Sequence, residues 1–139
     1  MEEKKLKIKM LPLVVVIVAF ALSPTVLPAH ATADFTLSAN PSNLGNPVVC
    51  CVIHRVTITV TSTGGFSGTV SLSESGNGGI TATFKPTSVI VSSGGQETST
   101  LSLAFGDCGQ FGASPVTVTG TSGSLQHSIY ITYGPKTMC

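Results

Sequence analysis

Charge and aromatic side chains are scarce in this chain: charged residues make up 9% of its 139 positions and aromatic ones 6%, with no tryptophan. Nucleic-acid partners are excluded first, because affinity for a phosphate backbone needs clustered Lys and Arg. Past the N-terminal segment no stretch shows the 3.6-residue apolar period of an amphipathic helix, so helical bundles and α/β layers are excluded as well. Without helices, several active-site devices go too. No G-x-S-x-G elbow leads into a helix, and Gly64-Gly65 and Gly76-Asn77-Gly78-Gly79 read as turns, not as phosphate cradles at a helix N-terminus. The carboxylates Asp34, Glu74, Glu97 and Asp107 stand at the terminus, at strand ends or in turns, where charges are ordinarily solvated. The reading is of a protein that is not an enzyme and needs no cofactor.

What is present begins with an export signal. Lys4, Lys5, Lys7 and Lys9 precede the apolar run Leu11 to Leu22, and Pro24 and Pro28 then lead to small residues. This is the form of a secretory signal peptide over residues 1–33. Ala31-Thr32-Ala33 suits a signal peptidase and would leave Asp34 first, with Ala29-His30-Ala31 as the second choice. The alternative is an uncleaved membrane anchor, which Pro12, Pro24 and Pro28 would make a poor helix. Residues 34–139 have the size of one domain and hold three cations, Arg55, Lys85 and Lys136, against four anions. The full chain's net +1 therefore comes from the leader.

The clearest pattern lies in Val56 to Ser75. Val56, Ile58 and Val60 alternate with Thr57, Thr59 and Thr61, and Val70 and Leu72 resume the alternation after Gly64-Gly65. A two-residue period with one apolar and one hydroxyl face is a half-buried β-strand. Phe35, Leu37 and Ala39 form an earlier strand, ended by Asn40-Pro41, and Val52 and His54 extend the inward face of the second. Ile80, Ala82 and Phe84 run up to Pro86; Val89 and Val91 follow it. Ser99, Leu101, Leu103 and Phe105 come next, and Val116, Val118, Ile129 and Ile131 build a last hairpin about Ser122-Gly123. About seven short strands with frequent turns predict an all-β, antiparallel β-sandwich, preceded by the signal helix. Its surface is carried by Ser and Thr.

Four cysteines, Cys50, Cys51, Cys108 and Cys139, follow the leader. An even number in an exported domain predicts two disulfides. If Ile80 to Val91 is one strand that changes sheet at Pro86, all four fall at one pole, and Cys50 and Cys51 each bond one of the other two. If the chain reverses at Pro86, Cys108 pairs with Cys139 and the adjacent pair is left free or intermolecular. The rival reading is a soft metal site of Cys50, Cys51, His54, Cys108 and His127; the leading one assigns no metal.

Binding residues are sought in the turns expected at the opposite pole: Gly64, Gly65, Phe66, Gly94, Gly95, Ser122 and Gly123. Phe66 is the aromatic expected there to meet a glycan.

Four segments carry a family resemblance: DFTLSANPS from Asp34, GFSGTVSLS from Gly65, ITATFKPTSV from Ile80 and VTVTGTSGSL from Val116. They resemble the immunoglobulin-like repeat of prokaryotic, often archaeal, secreted and surface proteins, as attached to subtilisin-like and kumamolisin-like peptidases. The resemblance implies an immunoglobulin-like or fibronectin III-like sandwich with no catalytic residues, used for spacing, adhesion or display; the cysteines lie outside it. The expected function is a secreted or cell-surface, non-enzymatic module for adhesion, assembly or structural display. Its expected partners are further copies, other surface proteins or glycans, and it meets a membrane only through an uncleaved N-terminus. Glycan recognition through the turns, or a small extracellular Cys/His metal protein, are the alternatives.

Overall fold

The structure is a computed structural model and describes residues 31–45, 48–49, 52–76, 79–106 and 115–137. The expected signal segment up to residue 30, and Cys50, Cys51, Cys108 and Cys139, lie outside the described residues. Among the described residues there is no helix.

Among the described residues ten strands occur in order: β1 (Asp34–Asn40), β2 (Val48–Val49), β3 (Ile53–Thr63), β4 (Gly68–Ser75), β5 (Ile80–Lys85), β6 (Ser88–Val91), β7 (Gln96–Phe105), β8 (Val116–Ser122), β9 (Leu125–Ile131) and β10 (Lys136–Thr137). One four-stranded antiparallel sheet has the order β1-β3-β7-β5, and a second has the order β6-β4-β8-β9. That is the immunoglobulin arrangement, ABED facing CFG with one added edge strand. The protein is an immunoglobulin-like β-sandwich.

Both flanks are built by strands that change sheet at a proline. β5 pairs with β7 in the first sheet; after Lys85-Pro86 the chain continues as β6 and pairs with β4 in the second. The buried Ser99 hydroxyl donates to the Pro86 carbonyl at 2.5 Å and fixes the crossing. Proline suits such a point, since it has no N–H to offer a ladder. On the other flank β1 pairs with β3, and after Asn40-Pro41 the chain runs parallel to the segment beyond β9. There the Thr132 N–H donates to the Ser42 carbonyl and the Leu44 N–H to the Thr132 carbonyl, each at 2.9 Å, and β2 continues parallel to β10. Of the two paths open at Pro86, the chain takes the sheet-switching one. With β5 and β6 counted as one interrupted strand, the long strands number seven.

The alternation read in the sequence is the alternation of burial. Val56, Ile58 and Val60 of β3, Val70 and Leu72 of β4, Leu101, Leu103 and Phe105 of β7 and Val116 and Val118 of β8 fill the space between the sheets. Val52, expected inward, is 51% exposed because it precedes the first paired residue of β3. Leu37, Ile80 and Ile129 are only partly buried, since they sit on the edge strands β1, β5 and β9. Phe66 and Tyr133 join the core instead.

Candidate functional site

Strand directions bring the three suspected turns to one pole. β3 enters Gly64-Gly65, β6 enters the turn at Ser92–Gly95 and β8 enters Gly123. The link between the first two is Ser62, which is nearly fully buried. Its hydroxyl donates to the Phe66 carbonyl at 2.7 Å and accepts the Gly94 N–H at 3.0 Å, while its own N–H donates to the Gly95 carbonyl at 2.9 Å. Gly64 has φ +57°, a left-handed backbone that suits glycine in this tight turn. A Cβ on Gly68 would lie 3.6 Å from the Ser122 hydroxyl, which brings the third turn alongside.

Phe66 does not serve as the exposed aromatic expected of it. Its ring is buried and packs at 5.3 Å on Phe35, which in turn meets the His127 ring edge-on at 4.9 Å. The pole is thus a set of tied turns over an aromatic plug. His127 Nε2 and Asp34 Oδ1 lie 2.7 Å apart and join β9 to β1 across the flank where the sheets part. The hydrogen bond with His127 comes first, and that from the Phe35 N–H second, in holding the Asp34 carboxyl below its usual range.

His54 lies at the far end of β3, with its ring 5.4 Å from Phe105. Phe105 also meets Tyr133, whose phenol burial pushes upward. His54 and His127 therefore stand at opposite poles, too far apart to share one ion. Among the described residues no group of three or more His, Cys, Asp or Glu is placed to hold a metal. The cysteine members of that set are outside the described residues. Ile53 of β3 pairs with Ala104 of β7, so the described ends that lead toward Cys51 and Cys108 adjoin each other.

Most of the outer surface is hydroxyl. On the first sheet Ser38, Thr59 and Thr98 form one row, and Asn40, Thr57, Thr100 and Lys85 the next. On the second sheet Ser75, Thr117 and Tyr130 form a row, as do Ser73, Thr119 and Ser128. Tyr130 is 62% exposed. Its outward position follows from its place between Ile129 and Ile131, the signal that could have singled it out in the sequence.

No family model matches the chain, and no curated protein does. Solved structures of similar shape include SSP-19, an MSP-domain protein like family member of Caenorhabditis elegans. It is 12% identical with a TM-score of 0.47, over 70% of this chain and 98% of that one. The ASH/PapD-like domain 7 of human CEP192 is 10% identical with a TM-score of 0.47, over 88% of this chain and 95% of that one.

Proposed function

We propose that this protein is an exported, non-enzymatic immunoglobulin-like module that works at the cell surface or outside the cell, where its sheet faces meet a partner in adhesion or display. The observation that carries the reading is how its polar groups are used. Among the described residues the two buried polar side chains, Ser62 and Ser99, are both spent on carbonyls and amides of the frame. Among the described residues no buried side-chain N or O atom is left without a partner to act on a substrate. Polar chemistry is spread over two broad faces of Ser and Thr, an arrangement suited to contact and not to turnover.

The basic, apolar and small-residue leader and the even cysteine count support export and disulfide stapling. The resemblance to repeats of prokaryotic secreted proteins points the same way. Strand addition has little length to use at β6, an edge of 4 residues, whereas β1, β5 and β9 present edges of 7, 6 and 7 residues. The test is location. Protease added to intact cells should degrade the protein, or it should be recovered from the medium; full protection inside intact cells would reject the proposal.

A further inference from the structure

We propose that the outer face of the β6-β4-β8-β9 sheet is a binding surface for a neutral polysaccharide, with Tyr130 as its stacking platform. The inference names a partner class for the surface module above. It begins with register. Thr69, Ser71, Ser73 and Ser75 of β4, Thr117, Thr119 and Thr121 of β8, and Gln126, Ser128 and Tyr130 of β9 all point outward, with Ser88 and Ile90 of β6 beside them. Nine of these twelve residues bear an aliphatic hydroxyl, and none is charged.

Three properties select the partner. Strands about 4.8 Å apart, with same-face residues about 6.8 Å apart along each, make this face a regular grid of groups that both donate and accept. A neutral sugar polymer presents the matching chemistry, hydroxyls that donate and accept, joined by direct bonds or shared waters. Part of the grid is already oriented, since the Thr119 and Ser128 hydroxyls bond each other at 2.9 Å. Second, Tyr130 exposes 62% of its surface in the row of Thr117 and Ser75, so an apolar ring face borders the grid where a sugar's C–H face can lie on it. Third, the absence of charge gives no attraction for an anionic polymer.

A protein partner fits less well. Protein interfaces have an apolar core and are depleted in serine, whereas the apolar residues of this face, Ile90 and Tyr130, occupy opposite corners of a hydroxyl field. Among the described residues the other outer face has no aromatic side chain, and it carries Arg55 and Lys85.

The experiment is depletion of the purified natural protein from solution by insoluble cellulose, chitin and starch, at low and high salt, with heparin–agarose as the anionic control. Retention on at least one neutral polymer, unchanged by salt, is expected. Tyr130→Ala should weaken it by about tenfold. Thr119→Val should weaken it too, while Thr59→Val on the other face should leave it unchanged. All three positions lie on outer faces, so circular dichroism should show each variant folded. The proposal is overturned by no retention on any of the three polymers, by retention that Tyr130→Ala leaves intact, or by retention on heparin alone. Self-association through this face, seen as a dimer in sedimentation that Tyr130→Ala dissolves, would also overturn it. Binding is measured on isolated protein, so a failure here and a failure of export are read separately.

Discussion

Ser62 donates its hydroxyl hydrogen to the carbonyl of Phe66 at 2.7 Å, and with the Phe66 N–H bond to the Thr63 carbonyl it ties the end of β3 to the residue that plugs the turn pole. The same oxygen accepts from the Gly94 N–H at 3.0 Å, so one buried hydroxyl bridges two turns from different strand pairs, beside the Ser62 N–H bond to the Gly95 carbonyl. Replacing Ser62 by Ala leaves a carbonyl and an amide without their partner. The expected loss is about 1–3 kcal/mol of unfolding free energy, read as a lower urea midpoint at unchanged slope.

Asp34 and His127 make stability depend on pH in a stated direction. The lowered Asp34 carboxyl contributes stability that is whole above its unfolded value, 3.8, and fades as pH falls through the lower folded value. Wild type and Asp34→Asn should therefore differ in melting temperature at neutral pH and converge as pH drops below that window. Because the pair is well exposed, added salt should shrink the difference. Parallel curves across the whole range would remove this role from Asp34.

Gly120 is the point where β8 lets the sheets approach. A Cβ there would lie 3.1 Å from Val70 Cγ1 and 3.2 Å from both Leu37 methyls. Gly120→Val should cost about 1–3 kcal/mol by overpacking. Leu37→Ala introduced with it should recover part of that cost, since the space it vacates is the space the valine needs. Additive losses in denaturant melts of the single and double variants would contradict the contact.

Much of the fold was legible because alternation and burial are one physical fact in a two-layer sandwich. Val56, Ile58 and Val60 could face only the core once Thr57, Thr59 and Thr61 faced water. Pro86 left two paths open in the sequence, and the choice came from pairing that is not local: the Ser99 hydroxyl, 13 residues on, holds its carbonyl. Pro41 looked like a strand end and is a crossing, because Ser42 beside it bonds Thr132, 90 residues further on. The site was less legible. Phe66, read as an exposed tip, turns inward onto Phe35; Tyr130 followed the two-residue rule and could have been found by it. The Asp34–His127 pair joins residues 93 apart, and no local pattern announces it.

The proposed export and disulfide stapling are tested most directly by the intact mass of the protein from the extracellular or surface fraction. Spectra should be taken under native and denaturing conditions, with thiol alkylation before and after reduction. The account predicts a chain beginning near Asp34, with four cysteines that alkylate only after reduction and no extra mass in the native spectrum. A chain that keeps Met1 and is recovered from the cytosol with its thiols free, or one that sheds a metal's mass on denaturation, would contradict it.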